Sequence, residues 1–238
     1  MNVFVTGGSR GIGRAIARRF ASDGAERIGI GYLRNDAAAE ETAEELRGAG
    51  VEVTLVRGNV TSDRVLEQVA QLGPLDVLVH NAATGVVRRA LETEDKHWDW
   101  TLNANARALL SLARTAAPSM PVGSSIVAIS SLGSQRVLDN YSLIGTSKAA
   151  LEALVRYLAV ELAPAIRVNA VSAGVVETGA LEHFPNRQEM LRVGAANPAG
   201  RLVAPEDVAG AVAFLCSPDA EMVRGQVLVV DGGFSLPV

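Results

Sequence analysis

The chain has 238 residues, 48% of them hydrophobic and 20% charged, with a formal net charge of −4. That length suffices for one α/β domain with a sizeable core, and the acidic balance argues against nucleic acid or an anionic membrane surface as a partner. A single cysteine, Cys216, excludes an internal disulfide and a cysteine-based metal site, and it reads as a buried helix residue.

From the start of the chain, no basic stretch or long apolar segment precedes Val3-Phe4-Val5, and no apolar run approaches the ~20 residues that span a bilayer. The expectation is a soluble cytoplasmic protein without a signal peptide or membrane segment. Strands are expected at Val3–Val5, Arg27–Tyr32, Val51–Val56, Leu75–His80, Ser125–Ser130, Arg167–Val171 and Gln226–Val230. Helices are expected over Gly11–Asp23, Ala37–Arg47, Asp63–Gln71, Glu94–Ala117, Leu143–Leu162 and Pro205–Leu215. This alternation predicts an α/β fold, a parallel seven-stranded sheet with helices on both faces. No linker, repeat or low-complexity stretch interrupts it, so residues 1–238 form one domain.

One segment breaks the rhythm, at about 177–201. It carries Leu181, His183, Phe184, Pro185, Met190 and Leu191. Long loops in compact domains are usually lids or disordered, and the apolar content favours a substrate lid. The bland alternative is a surface excursion packed on its own domain or a neighbour.

Thr6-Gly7-Gly8-Ser9-Arg10-Gly11-Ile12-Gly13 follows the first strand and opens the first helix. Glycines allow the tight turn and the close approach of backbone to a pyrophosphate, and the helix N-terminus offers free N–H groups to it. Gly7, Ser9, Arg10, Gly11, Ile12 and Gly13 are therefore cofactor-binding candidates. An acid commonly ends the second strand where NAD is preferred. Here that strand ends Gly31-Tyr32-Leu33-Arg34-Asn35, with no carboxylate before Asp36. Arg34 and Arg10 could neutralise a 2′-phosphate, which favours NADPH; otherwise Arg34 is a solvated strand-end cation. His80, His97 and His183 lack metal-ligand spacing, so no metal is expected. Trp98 and Trp100 fall on a long helix and read as packing residues, with substrate contact as the alternative.

Tyr141 and Lys148 stand seven residues apart. Positions i, i+4 and i+7 share one helix face, so a lysine can serve a tyrosine placed at either distance upstream. A tyrosine and a lysine on one face, downstream of a nucleotide loop, suggest reductive chemistry. A half-buried helix-start tyrosine and a surface lysine are the bland alternatives.

These residues resemble the short-chain dehydrogenase/reductase family over nearly the whole chain. The marks are the glycine loop, Asn81-Ala82-Ala83, Asn105, Ser130-Ser131, the Tyr/Lys helix, Gly174 to Thr178 and Val230-Asp231-Gly232-Gly233. The resemblance implies a Rossmann-like doubly wound fold, a nicotinamide cofactor and a homotetramer. Departures are visible. The tyrosine that the carbonyl-reducing branch carries four residues before the lysine is Ile144 here, Asn59 replaces an aspartate near the adenine, and Ala173 replaces the proline before Gly174. The Tyr-x6-Lys spacing is the mark of the enoyl-thioester reductase branch. His97-Trp98-Asp99-Trp100-Thr101, Ser130 to Ser134, Leu151 to Leu154 with Arg156 to Leu162, and His183-Phe184-Pro185-Asn186-Arg187 resemble the NADPH-dependent enoyl-acyl-carrier-protein reductase III group.

That resemblance implies reduction of the C2–C3 double bond of a trans-2-enoyl thioester, as in fatty-acid or related acyl-chain biosynthesis. Tyr141 would hold the thioester oxygen, and Lys148 the nicotinamide ribose. Asn105 would maintain the polar network near Lys148, and Ser131 matches the hydroxyl that assists the tyrosine in ketoreductases. Asn59 and Val60 would flank adenine, Asn81, Ala82 and Ala83 would line its ribose, Val176 and Thr178 would meet the carboxamide, and Gly174 would belong to the same cofactor site. The substrate partner would be an acyl thioester on an acyl carrier protein, with coenzyme A as the other carrier left open. By charge complementarity Arg187, Arg192 and Arg201 could steer an acidic carrier protein; scattered solvated arginines are the bland alternative. Alternatives left open are a 3-ketoacyl or other carbonyl reductase and a non-catalytic NADP(H)-binding regulator.

Overall fold

The computed structural model describes residues 1–179 and 187–236. Leu181, His183, Phe184, Pro185 and Asn186 of the expected lid lie outside the described residues. Seven strands form one sheet: β1 (Asn2–Thr6), β2 (Arg27–Tyr32), β3 (Glu52–Arg57), β4 (Val77–His80), β5 (Ser124–Ser131), β6 (Ile166–Ala173) and β7 (Val227–Val230). Their order is β3-β2-β1-β4-β5-β6-β7, and every pairing is parallel. This is the Rossmann-like doubly wound arrangement. The chain reverses its direction of travel across the sheet between β1 and β4, and ligands bind at such a switch point, at the carboxyl ends of the strands.

The sheet is buried on both faces because successive side chains point to opposite sides. Val3, Val5, Val127 and Ile129 face one layer with Ile16 and Phe20 of α1 (Gly11–Ser22) and Val208 and Val212 of α8 (Pro205–Cys216). Phe4, Leu78 and Ile126 face the other layer. There they meet Val65 of α3 (Asp63–Gln71), Leu109 and Leu112 of α5 (Ala108–Ala116), and Leu151 and Val155 of α6 (Ser142–Glu161). Full burial of a side chain such as Phe4 stabilises the fold by about 2–3 kcal/mol. Helix α2 (Asp36–Gly48) is capped by Asn35, whose Oδ1 accepts from the Ala38 N–H at 3.0 Å.

The expected helix Glu94–Ala117 is two helices joined by a wider turn. They are α4 (Asp95–Leu102) and α5, separated by a π-helical segment at Asn103–Arg107. Such bulges redirect a side chain within a continuous helix, and here the side chain is that of Asn105. Trp98 and Trp100 are not packing residues in this chain, since they are 46% and 53% exposed. α4 turns His97 and Thr101 inward, four residues apart, and this leaves both indoles pointing outward. The expected lid contains a helix, α7 (Arg187–Ala195). Among the described residues no helix is long and apolar enough to cross a membrane.

Candidate active site

The ends of β1 and β4 are tied together beneath the glycine loop. Thr6 Oγ1 accepts from the N–H groups of Asn81 at 3.0 Å and Ala82 at 2.9 Å. The Asn81 side-chain amide donates to the carbonyls of Thr6 and Gly7, both at 3.0 Å. A Cβ on Gly13 would lie 2.1 Å from the Gly7 carbonyl oxygen, so only glycine fits there. Gly7 and Gly11 have φ of +65° and +54°. Buried Ser9 accepts from Thr42 Oγ1 at 3.0 Å through its carbonyl, anchoring the loop to α2, while Ile12 is half-buried in α1.

The segment after β6 closes over this loop. A Cβ on Gly11 would touch Thr178 Cγ2 at 3.2 Å, Val176 pairs with Val203, and the Gly174 N–H donates to the Val230 carbonyl. The structure thus gathers Gly7–Gly13, Asn81–Ala83 and Gly174–Thr178 at one sheet edge. Asn59 and Val60 follow β3 at the same edge. Asn59 is exposed, and its Oδ1 accepts from Thr61 N and Oγ1.

Arg10 and Arg34 are both exposed at this edge, on neighbouring strand ends joined by the Gly8 N–H to Gly31 carbonyl bond. Among the described residues neither makes an ion pair or a side-chain hydrogen bond. Nearby arginines do: Arg14 pairs with Glu41 and Glu45, and Arg57 with Asp36. Asp36 also accepts from Tyr32 Oη at 2.9 Å, so the carboxylate closest to the end of β2 is already occupied.

Tyr141 is the N-cap of α6, one residue outside regular helix. Asn140 before it has φ +59°, a conformation asparagine tolerates better than most residues, and this turn sets the ring at the helix mouth. The ring packs on Gly133, where a Cβ would come within 2.5 Å of it. Tyr141 Oη lies 3.4 Å from Ser131 Oγ at the end of β5. Burial raises the phenol above its ordinary range, and the Ser131 contact opposes this. Lys148 is 5% exposed, and its Nζ donates to the Ile129 carbonyl at 2.7 Å. Burial lowers its ammonium to about 8, and the Glu152 carboxylate pulls the other way. Ile144, at the position where carbonyl reductases carry the tyrosine, is buried against Gly85.

Asn105 organises the space behind Lys148. Its Oδ1 accepts from Thr84 N at 2.8 Å, and its Nδ2 donates to the Thr84 carbonyl and to Ser147 Oγ. The sequence reading missed His80 in this network. Its Nε2 lies 3.0 Å from the Asn105 carbonyl and its Nδ1 3.3 Å from Thr6 Oγ1. A carbonyl only accepts, so Nε2 carries the proton. His80 therefore links the glycine loop to the π-helical segment. A histidine closing the apolar run of β4 was the available signal.

Burial, reinforced by the Lys148 charge, lowers His80 to about 4 from an ordinary 6.5. The unfolded chain takes up a proton near 6.5 that the native chain refuses until about 4. Stability is therefore fully present above that window and lost as pH falls through it, by at most about 3 kcal/mol. Urea midpoints measured from pH 7 to 4.5 are expected to fall less steeply in His80→Gln than in the unsubstituted chain.

His97 accepts the Glu94 N–H through Nδ1 at 3.1 Å, a helix-start role. Cys216 closes α8 half-buried, and burial pushes its thiol up to about 12, which leaves it inert. The arginines expected to steer a carrier protein are paired within the chain: Arg187 with Glu177, Arg192 with Glu189 and Arg201 with Asp207. Their charge is cancelled locally.

A parallel α/β sheet with a glycine loop at its switch point and a Ser/Tyr/Lys cluster beside it defines a nucleotide-dependent oxidoreductase. The family model described as enoyl-(acyl carrier protein) reductase matches residues 7–235. The chain is 37% identical over 241 residues to 1-cyclohexenylcarbonyl-CoA reductase of Streptomyces collinus, covering 98% of this chain and 86% of that one. Among solved structures, BdcA in complex with NADPH superposes with a TM-score of 0.87 at 34% identity, covering 98% of this chain and 93% of BdcA. A short-chain dehydrogenase from Burkholderia cenocepacia in complex with NADP gives 0.89 at 31% identity, with 98% and 96% coverage. The chain belongs to the short-chain dehydrogenase/reductase family and is an oxidoreductase.

Proposed function

We propose that this protein reduces the C2–C3 double bond of trans-2-enoyl thioesters with NADPH. The observation that carries the reading is the exchange of positions on α6. Buried Ile144 occupies the site four residues before Lys148, and the phenol beside Ser131 comes from Tyr141, at the helix mouth. The other two tyrosines are elsewhere: Tyr32 is bonded to Asp36 and Tyr157 is exposed on α6.

The residues fit the cofactor. The Gly7–Gly13 cradle has no room for a Cβ at Gly13, and Arg10 and Arg34, without an ion pair among the described residues, stand exposed at the edge where a 2′-phosphate would need charge. Bound NADPH supplies the hydride. Lys148 holds the ribose hydroxyls, and its charge supports the phenol. Tyr141 donates a hydrogen bond to the thioester oxygen. Hydride delivered to the β-carbon would leave negative charge on that oxygen, remote from the carbon reduced, and the enolate would then take a proton at C2 from solvent. In ketone reduction the protonated oxygen sits on the reduced carbon itself. A phenol three residues farther from the lysine, ~4.5 Å along the axis, suits the more distant oxygen.

The relatives support this reading. The matching family model names an enoyl reductase, and the Streptomyces relative is named for a compound with a ring double bond beside a thioester carbonyl. An acyl carrier protein as carrier, a place in fatty-acid or related acyl-chain synthesis and assembly into a homotetramer belong to the same reading. Exposed Trp98, Trp100, Tyr157 and Val160 supply apolar surface for that assembly.

The Ser131–Tyr141 contact favours a second reading, carbonyl reduction, because a serine hydroxyl beside the phenol is the arrangement that chemistry uses. NADPH consumption with crotonyl and acetoacetyl thioesters offered separately decides between them. The proposal expects turnover with crotonyl thioester; turnover with acetoacetyl thioester alone would refute it.

A further inference from the structure

One stripe of α6 carries Tyr141, Gly145, Lys148 and Glu152, spaced i, i+4, i+7 and i+11 and so aligned on one face. The first and third belong to the chemistry proposed above. Glu152 does not, yet it is 4% exposed, on a helix that also buries the apolar Leu151, Val155 and Leu158. A buried carboxylate is costly unless donors surround it. Here its Oε1 accepts from Ser130 Oγ and Ser134 Oγ, both at 2.6 Å, and its Oε2 from Gln135 Nε2 at 3.3 Å. Ser130 precedes the turn Leu132–Ser134 that leaves the end of β5, Ser134 ends it and Gln135 follows it.

The other end of that turn is held by close packing. A Cβ on Gly145 would lie 2.5 Å from the Gly133 carbonyl oxygen, and Gly133 itself lies against the Tyr141 ring. Ser131 stands between these two anchors, with its hydroxyl toward Tyr141. We propose that Glu152 is the positioning residue of this site: its carboxylate clamps the turn that seats Ser131 and Tyr141, and it stands one helical turn from Lys148 on the same face of α6. This rests on the reading of Tyr141 and Lys148 as the catalytic pair.

Among the described residues the titratable groups around Lys148 are Glu152 and Tyr141 on its own element and His80 at the end of β4. β5 contributes Ser130 and Ser131, and the π-helical segment contributes Asn105 with its exposed Arg107. Burial already lowers Lys148 to about 8, and Glu152 opposes that fall. Glu152→Gln keeps acceptor oxygen for the two serines and removes the charge, so Lys148 should lose its proton at lower pH. Activity that needs the ammonium should then decline at lower pH as well.

The chain has only two lysines, Lys96 and Lys148, so lysine Cε signals of carbon-13-labelled protein follow Lys148 directly, with Lys148→Arg identifying its signal. In Glu152→Gln the Lys148 midpoint should move down, and the alkaline limb of kcat should move with it. Below both midpoints, where Lys148 is an ammonium in either protein, KM and NADPH affinity should hold. Glu152→Ala, which also releases the turn, should lower kcat by on the order of 10–10²-fold. An unmoved Lys148 midpoint, or a moved midpoint with an unmoved kcat profile, overturns the proposal. Should Glu152→Ala not fold, the Glu152→Gln comparison stands alone. Full turnover in Tyr141→Phe would remove the catalytic reading of that residue, yet the Lys148 titration would still report on Glu152.

Discussion

Tyr141→Phe is expected to lower kcat for enoyl-thioester reduction by about 10²–10³-fold, the usual loss for one preorganised donor to a developing oxyanion. NADPH affinity should be unchanged in fluorescence titration, because the phenol meets Ser131 rather than the glycine loop. The ring should stay in place, since Gly133 packs on its edge and phenylalanine keeps that shape. The loss therefore belongs in kcat and kcat/KM together, the pattern of a bond made only in the transition state. A variant retaining full turnover would show that another group holds the thioester oxygen.

The second large effect concerns cofactor choice. Arg10→Ala with Arg34→Ala is expected to weaken NADPH by on the order of 10²-fold and to leave NADH nearly untouched. Two charge-assisted contacts to a phosphate would account for that ratio after allowance for the exposure of both guanidiniums. The preference should also shrink as salt rises, because screening acts most strongly on exposed charges. Equal losses for the two nucleotides would place the arginines on the pyrophosphate or in solvent instead. Calorimetric titration with each nucleotide at two ionic strengths reads the difference.

The seven strands were legible because parallel strands buried on both faces read as short apolar runs, as in Val77-Leu78-Val79. The glycine loop was legible because its chemistry is local: a strand, a tight turn and a helix start within a dozen residues. The π-helical turn at Asn103–Arg107 was not, since inserting one wide turn barely changes helical periodicity. Its cause is distant, in the backbone of Thr84 and the hydroxyl of Ser147. Trp98 and Trp100 misled for a similar reason. Helical spacing gives a face but does not say which face meets the sheet, and α4 turns His97 and Thr101 to it. Glu152 could have been noticed as a carboxylate in an apolar stripe one turn after Lys148. Its partners Ser130, Ser134 and Gln135 are brought to it only by the turn after β5.

On the proposed function, hydride goes to a carbon remote from the oxygen Tyr141 holds. The direct measurement offers crotonyl thioester and NADPH carrying deuterium at the transferable position, then locates the label in the product by NMR. Butyryl thioester with deuterium at C3 is the expected product. An unchanged crotonyl thioester, together with an acetoacetyl thioester that gains deuterium at its carbinol carbon, would contradict it.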